Sequence, residues 1–96
     1  MISREDFIFT LGYDGSTAVV DGKARKDFGR LSTMELAEKG LYRAAFSSAL
    51  YSGKPEEMKA FINFFNGKAG TAYEEAIQLS RLFGVYLEEV GKTVVL

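Results

Sequence analysis

The sequence predicts an α+β fold in one small domain, residues 1–96. An N-terminal β-hairpin packs on three main helices, and a short C-terminal strand can join the sheet. Three observations carry this expectation. Apolar residues alternate with period two over residues 7–13, and a β-branched run follows over 16–20. Beyond Leu31 the apolar period becomes that of amphipathic helices, set off by start and stop signals. The last four residues, Thr93-Val94-Val95-Leu96, read as a strand of 93–96.

In the first element Phe7, Phe9, Leu11 and Tyr13 alternate with Ile8, Thr10 and Gly12. Asp14-Gly15 between two such runs favours a two-residue type I′ turn, whose central residues both need positive φ. That turn places Tyr13 opposite Ser16, Leu11 opposite Ala18 and Phe9 opposite Val20, so both strands agree on one apolar face. Asp21 is then placed to cap a short helical turn carrying Ala24 and Phe28 on one side, closed by Gly29.

Ser32-Thr33-Met34-Glu35 forms a capping box flanked by Leu31 and Leu36 as a hydrophobic staple. It opens a helix over 33–52 with Met34, Ala37, Leu41, Ala44, Ala45, Ala49 and Leu50 on its apolar face. Gly40 costs about 1 kcal/mol against Ala in a helix interior and is where this segment would divide in two. Pro55 suits a first helical position, and Glu56 and Glu57 suit the N-terminal dipole. Met58, Phe61, Ile62 and Phe65 give the stripe of a helix over 55–66, which Asn66-Gly67 ends. A second capping box, Thr71 to Glu74, opens a last helix over 72–90. Tyr73, Ala76, Ile77, Ser80, Phe83, Gly84 and Leu87 lie along its face.

Composition narrows the chemistry. The chain has no His and no Cys, which removes the usual zinc ligands, disulfides, thiolate nucleophiles and imidazole acid–base catalysis. The sequence therefore predicts no catalytic constellation, no metal and no cofactor. A formal net charge of −1 argues against overall attraction to nucleic acid or anionic membrane. The opening residues MISREDFIF are charged too early for a signal peptide, and no apolar stretch approaches membrane-spanning length. The expectation is a soluble cytoplasmic protein.

Two stretches invite a more specific reading. Residues 11–21, LGYDGSTAVVD, are similar to the first phosphate motif of sugar kinases and actin-like ATPases, where an Asp and small hydroxyl residues sit at a hairpin turn. That resemblance implies a phosphate or small-molecule site at the Asp14-Gly15 turn. Asp14 directly abuts Gly15 where the family has a residue between them, and 96 residues cannot build the family's two lobes; a structural turn is preferred. The segment 23–30 carries Lys23, Arg25, Lys26 and Arg30, and it leads into LSTMELAEKGLYRAAFSSAL, residues 31–50. This resembles the opening of a bacterial helix-turn-helix and implies nucleic-acid contact by those four residues and Arg43. Gly40 falls three residues after Ala37 where the pattern wants four, and 41–50 offers only Arg43 as a charge. A core helix preceded by a solvated basic segment is preferred.

The acidic pairs Glu56-Glu57, Glu74-Glu75 and Glu88-Glu89 read as dipole partners and exposed helix faces. Eight Phe and five Tyr exceed what a minimal core needs, and Phe61, Phe64 and Phe65 occupy more than one face of their helix. Together with Val94 and Val95 they are the candidate interaction residues. The sequence thus predicts a small non-enzymatic module that forms a homo-oligomer or binds a protein partner.

Overall fold

The computed structural model describes residues 2–87 and 89–96. It is a small α+β fold: a three-stranded sheet and, among the described residues, six helices. The order is α1 (Arg4–Ile8), β1 (Thr10–Asp14), β2 (Thr17–Val20), α2 (Gly22–Phe28), α3 (Thr33–Glu38), α4 (Tyr42–Ser52), α5 (Pro55–Ala69), α6 (Ala76–Phe83) and β3 (Lys92–Val95). The C-terminal strand joins the hairpin as expected. β2 is central, antiparallel to β1 and parallel to β3.

The hairpin differs from expectation in its boundaries and register. Phe7 and Ile8 belong to a helical turn, α1, which Ser3 caps by accepting from the Asp6 amide. The turn residues are Gly15 and Ser16, with Asp14 opposite Thr17. Gly15 has φ of 60° and, among the described residues, no non-glycine residue has positive φ, the sign pattern of a type II′ turn rather than I′. A bulge between Thr10 and Gly12 then leaves Leu11 as the extra residue. Ala18 and Val20 keep the buried face, but their β1 neighbours are Tyr13 and Thr10 instead of Leu11 and Phe9. Leu11 turns outward and is 59% exposed.

Local capping signals place the helices. Asp21 accepts from the Ala24 amide and Gly29 closes α2. Ser32 and Glu35 form the capping box of α3 in both directions. The segment 33–52 does divide at Gly40. Gly40 has φ of 79°, and the Leu41 amide reaches back to the Leu36 carbonyl, a Schellman closure that a residue with a side chain would strain. Gly84 ends α6 in the same way, with the Val85 amide bonded to the Ser80 carbonyl. The last helix therefore stops at Phe83 rather than at 90. It also starts late. Asn66 holds the preceding loop with its side-chain amide on the Tyr73 backbone, and it takes the Thr71 hydroxyl at 2.8 Å. The Thr71 hydroxyl is thus turned toward Asn66 rather than onto a helix start, and Gln78 accepts from the amides of Glu74 and Glu75. The α5 helix runs past Asn66-Gly67 to Ala69.

The core is built around α4, where residues 44–49 are buried without interruption. A helix covered on every side needs small residues and satisfied hydroxyls. Ala44, Ala45 and Ala49 supply the first, letting α1, α3, α5 and α6 approach. Ser47 donates to the Arg43 carbonyl, and Ser48 joins a polar network. Phe46 and Phe61 are wholly buried, and Phe46 stacks on Phe83 at 5.5 Å. Phe65 meets Phe61, Phe83, Tyr42 and Tyr73. These rings join α4, α5 and α6, so much of the aromatic content is used inside the fold, while Tyr13 and Tyr86 are exposed.

Candidate functional site

The two edges of the sheet are chemically unlike. The β1 edge carries the Leu11 bulge, Gly12 and the acidic Asp14, devices that discourage pairing with another strand. The β3 edge has neither Pro nor bulge, and Lys92 is its one charge. Lys92 donates its amide to the Ser16 carbonyl and Leu96 to the Val20 carbonyl. Strand backbone groups alternate in direction, so the amides and carbonyls of Thr93 and Val95 face away from β2. No further strand pairs there among the described residues. Val94, Val95 and Leu96 are 38%, 43% and 73% exposed. On the outer face Val94 continues a row through Val19 to Gly12.

Of the residues singled out for interaction, Val94 and Val95 stand on this edge. Phe61 and Phe65 are buried in the aromatic cluster, and Phe64 is half-buried beneath the Lys68 ammonium, 5.6 Å from its ring centroid.

Of the basic segment, Arg25 alone is tied to another element of the fold by an ion pair among the described residues. Lys23 pairs with Asp27 at 3.0 Å, and this hydrogen bond raises its pKa above the ordinary lysine value. Arg25 donates to Asp6 at 2.5 Å and ties α2 to α1. Arg43 lies across the molecule, donating to the Thr10 carbonyl at 2.7 Å and the Phe83 carbonyl at 3.4 Å. Lys26 and Arg30 are exposed and make no ion pair among the described residues. Asp14, Gly15 and Ser16 are all exposed at the hairpin tip.

The carboxylate pairs separate into different roles. Glu57 accepts from the Thr33 hydroxyl, while Glu56, Glu74 and Glu75 are exposed. Glu89 is exposed outside any helix, and Glu88 lies outside the described residues.

A polar knot that the sequence reading missed joins four helices. Arg4 donates to the carbonyls of Gly29 and Leu31 and to the Ser48 hydroxyl. Thr33 hydrogen-bonds both Ser48 and Glu57. Thr33 and Ser48 are each 2% exposed. Adjacent serines inside an apolar helical run were the available signal, because hydroxyls buried at such positions need partners.

A mainly apolar cleft of about 420 Å³ opens between α2 and the α3–α4 junction. Phe9, Leu11, Ala24, Phe28, Leu41 and Tyr42 form its walls, and Arg43 and Asp21 are its charged members. Among the described residues no helix is long and apolar enough to cross a membrane. No protein-family model, curated protein or solved structure matches this chain.

Proposed function

We propose that this chain is a non-enzymatic interaction module that self-associates by pairing β3 with β3 of a second copy. The observation that carries the reading is the unguarded β3 edge: outward backbone groups at Thr93 and Val95 beside exposed Val94, Val95 and Leu96. A two-fold antiparallel arrangement centred on Val94 satisfies those groups. Thr93 of each copy exchanges hydrogen bonds with Val95 of the other, and the two Val94 residues form a non-hydrogen-bonded pair about 4.5 Å apart. The two outer-face rows of Val94, Val19 and Gly12 then become continuous. Each Lys92 falls opposite Leu96 of the other copy, so no like charges meet. An interface this small forms a weak, concentration-dependent complex. The reading carries a cytoplasmic location, which fractionation of cells producing the tagged chain would check.

Sedimentation velocity over a concentration series tests the pairing. The wild-type chain moves from monomer toward dimer as concentration rises. Val94→Lys, at an exposed site, places two ammonium groups at the two-fold axis and stays monomeric with an unchanged circular dichroism spectrum. Leu11→Lys on the other edge associates as wild type does. A wild-type chain that remains strictly monomeric at high micromolar concentration removes the proposal.

A further inference from the structure

Among the half-buried arginines, Arg4 and Arg25 each have a carboxylate partner. Arg43 does not: its bonds among the described residues are to two backbone carbonyls, one of them long at 3.4 Å. A guanidinium has five N–H donors, so Arg43 retains donors beyond those two bonds. It lies on the cleft between α2 and the α3–α4 junction, whose walls are mainly apolar. The cleft's other charge, Asp21, is held by α2, with Oδ1 accepting from the Ala24 amide at 3.1 Å. Leu11, pushed outward by the bulge, stands at the rim. A volume of about 420 Å³ falls in the range that holds small ligands, in which apolar walls supply affinity and a few polar groups fix orientation.

We infer that this cleft binds a small amphipathic carboxylate, its apolar tail between Phe9, Phe28, Leu41 and Tyr42 and its carboxylate on Arg43. Charge complementarity selects the head group: a partly desolvated guanidinium without a counter-ion makes its strongest bonds to a carboxylate. The site is separate from the β3 edge, so either proposal can fail without the other.

Decanoate, used below its micelle concentration, is the probe, followed by amide chemical shifts in a ¹⁵N-labelled chain. Saturable shifts are expected at Leu11, Ala24, Phe28, Leu41 and Arg43. Decanol and decyltrimethylammonium, with the same tail and a neutral or cationic head, bind at least tenfold more weakly; acetate, without the tail, gives no saturable shifts. Arg43→Gln abolishes the preference for decanoate over decanol. Because Arg43 also bonds to backbone, Ala24→Phe supplies a second variant, filling the cleft while leaving the guanidinium in place, and it loses decanoate binding at least tenfold. Equal affinity for decanol, a preference that survives in Arg43→Gln, wild-type binding by Ala24→Phe, or shifts centred elsewhere would each overturn the assignment.

Discussion

Gly22→Ala and Gly67→Ala are the same substitution in two helices, and the structure gives them opposite signs. Gly67 lies within α5, and a Cβ built there meets nothing within 4 Å. Replacing it relieves the conformational cost of glycine in a helix and stabilises the fold by roughly 0.5–1 kcal/mol. For a domain of this size that raises the midpoint of thermal unfolding by roughly 2–8 °C. Gly22 is the first residue of α2, and the end of β3 passes directly over it. A Cβ at this position would fall on the Leu96 carbonyl oxygen and lie 2.8 Å from Cγ1 of Val95. Ordinary contact begins near 3.4 Å, so the valine must withdraw by roughly 0.6 Å and the carbonyl by more. Leu96 is anchored through its amide, which donates to the Val20 carbonyl at 2.9 Å, so the strand end cannot lift off Gly22 without losing that bond. Overpacking of this kind costs about 1–3 kcal/mol, more than the helix gains. Urea unfolding followed by circular dichroism should show a lower midpoint at unchanged slope for Gly22→Ala, with faster amide exchange at Leu96. A Gly22→Ala variant as stable as wild type would refute the close approach of β3 to α2.

Two further outcomes follow from the core and the caps. Phe46→Ala empties the centre of the aromatic cluster against Phe61 and Phe83; large-to-small changes at fully buried Phe cost about 3–5 kcal/mol, and a midpoint shift in urea equivalent to less than ~1 kcal/mol would contradict that packing. The Ser32 amide holds Glu35 below its ordinary carboxylate pKa, with the Ser32 hydroxyl adding to the effect. A lowered folded pKa means that the box contributes above the unfolded value of Glu35 and is lost as pH falls through the folded one. Glu35→Gln, which still offers an acceptor oxygen, should flatten that acid limb of a stability-versus-pH curve, and an unchanged limb would assign the acid sensitivity to other carboxylates.

The features legible in the sequence are those fixed by a few neighbouring residues. Asp21 and Ser32 with Glu35 bond amides within one turn, and Pro55 brings a preset helical φ and no N–H to a first helical position, so these local signals locate α2, α3 and α5. Register is different. The alternation of Phe7, Phe9, Leu11 and Tyr13 satisfies a hairpin equally well with or without a bulge, and nothing local decides between them. What decides is tertiary: Phe7 and Ile8 are buried from α1, against α4, so the strand starts later and Leu11 becomes the extra residue. The last helix shows the same limit. Thr71 has the spacing of a cap, but its hydroxyl is turned toward Asn66 and the helix begins only at Ala76.

Charge and aromatic content were harder to read for a related reason: sequence gives the inventory of groups, not their partners. Lys23, Arg25 and Arg43 look alike in a basic count, yet one pairs with Asp27 on its own helix, one with Asp6 on another element, and one reaches only carbonyls. A paired cation offers little field to a partner, whereas a half-buried guanidinium lacking a carboxylate keeps both its charge and spare donors. The rings follow the same logic. Division of 33–52 at Gly40 lets α4 enter the centre of the fold, where Phe46, Phe61, Phe65 and Phe83 cover one another. Rings packed in this way are not free for the proposed edge pairing, which draws on the exposed aliphatic groups of β3; Ile77, Leu82, Tyr86 and Leu87 are exposed elsewhere on the fold. Association of this chain should therefore respond to charge placed at Val94 and not to polar substitution at half-buried Phe64.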